Sequence, residues 1–386
     1  MGRPTLKTRF TEMMGCEYPI CSAGMGPSLI GERTGATVEL VVAVTEAGGI
    51  GVLGAAGHTV DVMQDAIREI KKQTDKPFGV DILLPAAQVE AGDIDPATIK
   101  STPIDEVLKK QIPKEYYDWF LSIKKKYDLP DLDIEIKGGS TTSRPNASIK
   151  VILEEKVPLF CAGLGNPGFM VEDAHKAGTK VLGLTGNTKN ARRVAEGGSD
   201  FVVAQGHEAG GHTGRIGTMA FLPQALDAIG DTPLLAAGGI GDGRALAACL
   251  AMGCVGVWCG TRFLATQESG LVKEQEKYIV NATDEDTRRS KLYTGKTSRT
   301  IYSQVHDIWE ESGLPMLPFG QQGLLASAVI GSFHKAGKYE YVGPFSGQVA
   351  GLIDEIPPAG EVVAQMVEQA VEILCQKLPN TVTAKA

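Results

Sequence analysis

The residues with the clearest catalytic chemistry are two histidines, His207 and His212, in the glycine-rich segment 205–215 (QGHEAGGHTGR). An imidazole titrates near neutral pH, so either could act as a general base or as a hydrogen-bond donor. The His-Glu-x-x-x-His spacing does not match the zinc motif, and no third ligand stands beside the pair, so no metal site is predicted. We expect His212 to be the catalytic group, because it follows two glycines and is free of neighbouring bulk. His207 precedes Glu208 and can simply pair with it. The alternative for either histidine is that it only forms hydrogen bonds with backbone groups, and this alternative applies mainly to His207.

Two glycine-rich turns predict a place for a phosphate group. They lie at 237–243 (AGGIGDG) and 259–261 (CGT), each after an apolar run and before a helical pattern. Backbone N–H groups and the positive end of a helix favour phosphate in turns that follow the last strands of an α/β barrel. The alternative is a pair of tight turns without a ligand. Because no Rossmann-type glycine turn follows the first strand, the sequence points to a mononucleotide such as FMN.

Eight apolar runs of strand length organise the chain, and segments with helical spacing, such as 36–47 and 59–74, lie between most of them. Runs that are apolar almost throughout are typical of parallel strands covered on both faces. The runs are YPICSAG (18–24), GIGVLGAA (49–56), FGVDILLP (78–85), LFCAGL (159–164), KVLGLTG (180–186), DFVVAQG (200–206), PLLAAGGI (233–240) and VGVWCGTRFL (255–264).

This alternation predicts an α/β fold and, within that class, a (β/α)8 TIM barrel. A doubly wound open sheet is the main alternative, and the number of runs favours the barrel. In such barrels the active site lies at the carboxyl ends of the strands. The first run ends in small residues, 22–26 (SAGMG), which let the backbone lie against a flat ligand, and Asp81 is an acid inside the otherwise apolar third run.

Two segments interrupt the repeat and suggest a domain organisation. We expect a barrel over 1–267 with an insertion at about 86–146, in which the stretch IPKEYYDWFLSIKKKYDLP predicts a helix. A helical lid over the barrel mouth is predicted for 268–340. The remaining part, 341–386, contains the helix EVVAQMVEQAVEILCQKL, which is expected to close the barrel.

Composition excludes several classes of protein. The net charge of −8 argues against binding to nucleic acid, which needs clustered Lys and Arg. No run of 18 apolar residues is present, so no membrane span is expected, and without an apolar signal core a cytoplasmic location is predicted. The seven cysteines include no Cys-x-x-Cys pair, which argues against a structural zinc site and against disulfides. A homodimer is left open.

Three segments together resemble the nitronate monooxygenase family, formerly called 2-nitropropane dioxygenases. They are 204–214 (AQGHEAGGHTG), 236–266 (AAGGIGDGRALAACLAMGCVGVWCGTRFLAT) and 77–85 (PFGVDILLP), and 347–353 (GQVAGLI) fits the closing segment of that family. Flavin-dependent enoyl-acyl-carrier-protein reductases and NAD(P)H:quinone reductases share this barrel and this histidine loop. The motifs are therefore more specific for the FMN barrel than for the reaction.

The resemblance implies FMN as the cofactor and His212 as the catalytic histidine. Asp81 stands where the family commonly has Asn, and an acid near the flavin pyrimidine would disfavour the anionic reduced flavin unless it is protonated or turned away. The implied contacts to the flavin and its phosphate are Gly24, Met25, Asp81, Gln205, Gly210, Gly211, Gly238, Gly239, Trp258, Cys259, Gly260 and Thr261.

The activity implied by the resemblance is the FMN-dependent oxidation of small alkyl nitronates by molecular oxygen. The alternative is a reductase in which NAD(P)H reduces the FMN, which then reduces a quinone or an enoyl thioester. The acidic chain disfavours an acidic carrier protein as the partner in that version. A non-catalytic flavin-binding or sensor protein is a third hypothesis, and the presence of His212 beside the glycine motifs argues against it.

Overall fold

A sheet of eight parallel strands, β1 to β8, forms the centre of the computed structural model, which describes residues 4–26, 34–90, 101–137 and 145–383. Each of the eight predicted apolar runs contains one strand. The strands are Ile20–Ser22 (β1), Val52–Gly54 (β2), Gly79–Leu83 (β3), Leu159–Gly163 (β4), Lys180–Thr185 (β5), Phe201–Gln205 (β6), Leu234–Ala237 (β7) and Gly256–Cys259 (β8).

The strands follow one another in chain order around a ring. Neighbouring strands pair from β2 through to β8, and β8 pairs with β1. A parallel bridge between Cys21 and Ile50 joins the β1 side to the β2 side, so the barrel is nearly closed. The predicted (β/α)8 TIM barrel is therefore confirmed. A doubly wound sheet is excluded, because its strand order reverses at a switch point and leaves two open edges.

Burial on both faces explains why the strands read as continuous apolar runs. In β6, Phe201 and Val203 belong to the cluster that fills the barrel, whereas Val202 packs outward against the helices, and none of the three is exposed. The amino end of the barrel is covered by the helix Arg9–Met14, whose Phe10 ring lies 5.1 Å from that of Phe201. The opposite, carboxyl end is left for a ligand.

Helices surround the barrel in the expected alternation. The predicted helices at 36–47 and 59–74 are present as Val38–Glu46 and Val60–Gln73. Helix Ala359–Glu372 packs against Val38–Glu46 and against Gly243–Ala251, which follows β7. It therefore completes the outer layer. The other helices of this layer are Pro145–Glu154, Val171–Ala177, Thr188–Glu196, Thr218–Ile229, Gly243–Ala251 and Ala359–Glu372, with 3-10 turns at Pro167–Met170 and Gln348–Leu352, and a short π turn and helix at Ile373–Lys377 and Leu378–Thr381.

The insertion and the later lid segment share one apolar core, separate from the barrel core. Helix Lys114–Tyr127, which matches the helix predicted in the insertion, packs on helix Gln321–Lys335 of the lid. Tyr116 stacks on Trp309 at 6.4 Å, and both are buried. The remaining elements of this region are Ala86–Glu90, Ser101–Pro103, Ile104–Gln111, Glu135–Lys137, Lys273–Val280, Gln304–Ser312 and Tyr339–Tyr341, and a short helix at Thr261–Leu264 follows β8 in the barrel. The parts of the predicted insertion at 91–100 and 138–144 lie outside the described residues.

The lid contains strands as well as helices. Thr287–Ser290 pairs antiparallel with Ser298–Ile301, and the second of these also pairs with Gly211–His212 of the loop after β6. The sequence predicts a helical segment here with polar ends, and these two strands are a departure from that prediction. In the hairpin that forms instead, Thr287 pairs with Ile301 and Arg288 with Thr300, and the chain turns near Gly295, which has a φ of +83°. None of the described helices has the length and apolar character needed to cross a membrane.

Candidate active site

The carboxyl ends of the strands bring most of the predicted site residues to one face of the barrel. The backbone N–H of Ala23, after β1, donates to the carbonyl of Cys259 at the end of β8, at 2.8 Å. The N–H of Gly206, after β6, donates to the carbonyl of Ala237 at the end of β7, at 2.9 Å. These bonds hold the loops that carry Gly24, Gln205, Gly238 and Gly260 at neighbouring positions around the mouth.

The turn after β1 is packed closely against the end of β3. A β-carbon added at Gly24 would lie 2.2 Å from the β-carbon of Asp81, so only glycine fits there. Met25 is half-buried, and its Sδ would lie 3.8 Å from a β-carbon added at Gly260. The sequence therefore brings Gly24, Met25 and Gly260 together, as predicted for residues that contact one flat ligand.

Asp81 lies inside the mouth, and one oxygen of its carboxyl group has no hydrogen-bond partner among the described residues. Only 7% of the residue is exposed, and its Oδ1 is buried without a hydrogen-bond partner. Cys161 on β4 faces it in the parallel register. Burial raises the pKa of Asp81 well above its usual range, because no cation nearby compensates the charged form. Burial therefore favours the protonated form of Asp81, which can donate a hydrogen bond as an amide does.

The loop after β6 is held in place on both sides. Gln205 Nε2 donates to the carbonyl of His212 at 2.6 Å, and Thr213 Oγ1 donates to the carbonyl of Gly206 at 3.0 Å. A β-carbon at Gly210 would lie 2.7 Å from the backbone of Ser346. Gly211 adopts a φ of +66°, which lets the chain turn into the short strand that carries the histidine.

His212, in this loop, lies against the lid hairpin. Its Nε2 is 2.8 Å from Thr294 Oγ1, and its ring meets that of Phe319 edge-on at 6.4 Å. Burial is the main cause that lowers the pKa of His212 to about 4, and the charge of Lys296 lowers it further. The imidazole is neutral at pH 7. Its Nδ1 makes no hydrogen bond within the described ranges, so one ring nitrogen remains available to a ligand.

His207 has a different environment. Its Nδ1 lies 3.2 Å from Glu208 Oε2, within ion-pair distance but without the geometry of a hydrogen bond. Glu208 in turn accepts hydrogen bonds from the backbone N–H and the hydroxyl of Thr218, at the start of the helix after β6. The buried Arg299 donates to the carbonyl of His207 at 3.0 Å. These contacts give His207 a role in holding the loop.

The glycine turns after β7 and β8 combine unusual backbone angles with free amides. Gly238 and Gly239 have φ of +92° and +74°, which only glycine adopts without strain. The N–H groups of Gly239 and Thr261 donate to no other described residue, so they can bind an anion. The sequence predicts that the amino end of the helix after β7 is free to bind phosphate, and the structure differs. The Asp242 side chain caps this helix by accepting hydrogen bonds from the N–H groups of Arg244 and Ala245. The loop amides, not that helix end, are left for a phosphate.

Trp258 and Cys259 can offer only their backbone to a ligand. Trp258 packs into the barrel cluster and Cys259 into the outer cluster, and both are buried. Burial raises the pKa of the Cys259 thiol, so it is not a nucleophile. No group of three His, Cys, Asp or Glu side chains among the described residues could hold a metal ion.

The structure adds residues that sequence analysis did not single out. Ser346 is fully buried with an unpaired Oγ, and the neighbouring N–H of Gly347 donates to Thr261 Oγ1 at 2.9 Å. The segment 343–347 (GPFSG) thus lies across the turns after β6 and β8. Thr294 and Lys296 come from the lid hairpin, and their closeness to His212 had no local signal. The only local sign for Ser346 is a small polar residue directly before Gly347.

These features fit a flat mononucleotide. The mouth has glycines at close approaches of the chain, two free amides for a phosphate, and two buried polar atoms, Asp81 Oδ1 and Ser346 Oγ, that lack partners. Buried polar groups are normally hydrogen-bonded, so unpaired ones at a mouth indicate a polar ligand.

Comparisons with known proteins agree with this geometry. A family model described as nitronate monooxygenase matches residues 7–369. A Mycobacterium tuberculosis protein assigned as a monooxygenase is 33% identical over 96% of this chain and 98% of its own length. A Staphylococcus aureus protein assigned as a nitronate monooxygenase is 28% identical, over 96% of this chain and 99% of its own.

Two solved structures are similar along nearly their whole length. A nitroalkane oxidase from Streptomyces ansochromogenes has a TM-score of 0.75 and 28% identity, covering 94% of this chain and 98% of that one. FabK from Thermotoga maritima has a TM-score of 0.73 and 30% identity, covering 98% and 100%. The similarity thus extends over nearly the whole chain.

Proposed function

The chain belongs to the nitronate monooxygenase family, and from that premise we propose that it oxidises small alkyl nitronates with molecular oxygen, using FMN. It is a flavin-dependent oxidoreductase of the monooxygenase type. When bound, the flavin supplies the redox chemistry, accepting an electron from the nitronate and returning it to oxygen. The protein supplies binding, orientation and proton transfer.

FMN is the flavin that the mouth fits best. Gly24 and Met25 would border the ring system, with Asp81, Gln205, Gly210 and Gly211 as its further contacts. The loop amides at Gly238–Gly239 and the backbone of 258–261 would hold one phosphate. A second nucleotide cradle is absent from the described part of the mouth, which favours FMN over FAD.

His212 is the proposed catalytic residue. A neutral nitroalkane must lose its α-proton before it becomes a nitronate, and a neutral imidazole at the mouth can take that proton. The C–H bond breaks, the proton goes to the imidazole, and the electron pair moves onto the nitro group. With a pre-formed nitronate, the same imidazole would hold the nitro group.

The state of the His212 imidazole is the main support for this proposal. The imidazole of His212 is neutral at pH 7, is fixed through one nitrogen by Thr294, and has its other nitrogen free. A base must be unprotonated and within reach of its proton, and this side chain meets the first condition over the whole physiological pH range.

A reductase is the second candidate, favoured by the similarity to FabK from Thermotoga maritima. In that function NAD(P)H would reduce the flavin, and a quinone or an enoyl thioester would reoxidise it. The same glycine turns and the same histidine would serve it, so the choice rests on which compound reduces the flavin.

A single experiment separates the two. The purified protein is mixed without oxygen with propane-2-nitronate, NADH or NADPH, and bleaching of the flavin absorption is followed. We expect rapid bleaching by the nitronate, oxygen consumption when air is admitted, and release of FMN on denaturation. Rapid bleaching by NADH or NADPH with none by the nitronate would establish the reductase instead. A protein that binds no flavin would refute both.

A further inference from the structure

The loop that contacts His212 belongs to an unusually cationic hairpin. Residues 287–300 (TRRSKLYTGKTSRT) include five Lys and Arg and no Asp or Glu, in a chain whose net charge is −8. Within this hairpin, Arg288 pairs with Glu310, and Arg299 donates to the carbonyl of His207. The hairpin therefore concentrates positive charge beside the site, and some of that charge has a structural partner.

Lys296 has no such partner. It is half-buried and forms no ion pair with a carboxylate in the described ranges. Its Nζ lies 4.4 Å from the centre of the Phe319 ring, which meets the imidazole of His212 edge-on. Lys296, Phe319 and His212 thus form one wall of the mouth, a cation and a base joined by an aromatic ring.

This arrangement is unfavourable without a ligand. An ammonium group that is partly removed from water loses solvation, and its contact with one aromatic ring compensates this only in part. It also opposes protonation of the neighbouring imidazole, as the lowered pKa of His212 indicates. A cation beside a base can stabilise the negative charge that forms when the base removes a proton, or the negative charge of a ligand that is already an anion.

We infer that Lys296 binds the negative charge of the substrate, and that this wall selects small anions with an apolar tail. Phe319 is 38% exposed and provides apolar surface beside that tail. In the proposed reaction, on which the identity of the anion rests, the α-proton passes from carbon to His212 and the electron pair moves onto the nitro oxygens. The charge formed there is then stabilised by the ammonium of Lys296.

The first test compares three lysine variants on a pre-formed nitronate. K296Q removes the charge, K296R keeps it, and K291Q is the matched control, because Lys291 is an exposed lysine of the same hairpin. A hydrogen bond to a charged group is worth enough to raise KM for the nitronate about 10- to 100-fold in K296Q. We expect K296R to retain most of the affinity and K291Q to match the wild type.

The second test does not depend on turnover. Isobutyrate resembles propane-2-nitronate in size and charge, and isobutyramide is its neutral counterpart. Their binding to the flavin-loaded protein is measured from the change in the flavin spectrum. We expect isobutyrate to bind more tightly than the amide in the wild type, and this preference to disappear in K296Q alone. Histidine NMR of the flavin-free protein should also show a higher pKa for His212 in K296Q than in K291Q.

The outcomes separate the inference from the proposed reaction. If no nitronate is oxidised but isobutyrate still binds through Lys296, the anion site stands and the nitronate activity falls. If the wild type binds the acid and the amide equally, or if K296Q weakens both equally while remaining folded, the inference is overturned.

Discussion

The carboxyl side chain of Asp81 lies directly against the α-carbon of Gly24, so closely that a β-carbon at Gly24 would be 2.2 Å from that of Asp81. This contact links the end of β1 to the end of β3 at the barrel mouth. It explains why the turn after β1 needs a glycine and why the acid cannot move away from the site. The two residues must therefore be treated as a pair.

Gly24→Ala is expected to disturb the mouth. Overpacking of this kind typically costs about 1–3 kcal/mol, and here the displaced group lines the proposed flavin site. We expect lower stability in urea denaturation and weaker FMN retention on gel filtration. Gly360→Ala is the control, because a β-carbon there would meet Ala47 at an ordinary 3.7 Å.

The double variant Gly24→Ala, Asp81→Gly tests whether the pair is the cause. Removing the Asp81 side chain makes room for the new methyl group, so the cost of Gly24→Ala should shrink in that background. An unchanged cost would mean that the methyl group disturbs something other than Asp81.

Asp81→Asn should change how stability depends on pH. Because burial raises the pKa of Asp81 in the folded state, the folded protein holds a proton that the unfolded chain releases above about pH 4. Wild-type stability therefore falls with rising pH by up to about 1.4 kcal/mol per pH unit until the folded-state pKa is reached. Asp81→Asn removes this contribution to the slope, so urea denaturation should show its relative advantage growing as the pH rises above about 4, the unfolded-state pKa of an Asp. A constant difference would contradict the protonated carboxyl.

The elements of the barrel could be predicted from sequence because each strand is buried on both faces, as Phe201 and Val202 are. The glycine turns and His212 could be located because they follow those strands directly. The lid hairpin could not. Its strands are polar, and their position depends on pairing with Gly211–His212, a contact between residues far apart in the chain.

The same limit applies to the residues around the histidine. Thr294 and Lys296 come close to His212 only when the hairpin folds onto the loop after β6, and no local sequence pattern indicates this. The Asp242 cap was present in the sequence, directly before the helix pattern, as Asp commonly is at such positions. It shows that a glycine turn followed by a helix does not always leave the helix end free.

His212→Asn should lower turnover of a neutral nitroalkane by about 10²- to 10⁴-fold while FMN stays bound, since general base catalysis is typically worth that much. Turnover of a pre-formed nitronate should fall less, because its proton is already gone. His207→Asn is the matched control. Equal losses on both substrates would indicate that His212 only positions the nitro group.

The pH profile of wild-type turnover should carry the signature of the same residue. The pKa of His212 is lowered to about 4, so its base form is fully present above about pH 5 and is lost only as the pH falls through 4. Initial rates with freshly diluted neutral nitroalkane should therefore show no histidine inflection between pH 5 and pH 8. An inflection near 6.5 that disappears in His212→Asn would contradict the buried imidazole.

Thr294→Val should loosen His212. The hydroxyl of Thr294 lies 2.8 Å from Nε2, and losing one such hydrogen bond costs about 0.5–1.5 kcal/mol, or up to about tenfold in rate. Thr294→Ser keeps the hydroxyl and should behave like the wild type. Steady-state kinetics with a neutral nitroalkane would check this. If Thr294→Val were as fast as Thr294→Ser, the hydrogen bond would not orient the base.

The shared core of the insertion and the lid leads to the last prediction. Trp309 is 5% exposed and meets the ring of Trp119, from the insertion, edge-on at 5.1 Å. Trp309→Ala should cost about 3–5 kcal/mol, because it leaves a large cavity between the two segments. Since this core is separate from that of the barrel, the loss should fall on the lid.

Hydrogen exchange would locate that loss. We expect Lys114–Tyr127 and Gln321–Lys335 to lose protection together in Trp309→Ala, while β6 keeps its protection and FMN stays bound. Phe169→Ala, which changes an aromatic side chain that is 56% exposed, serves as the control and should alter neither segment. If the lid helix opened while the insertion helix stayed protected, the two segments would be independent, and the insertion would have to be stabilised by the barrel instead.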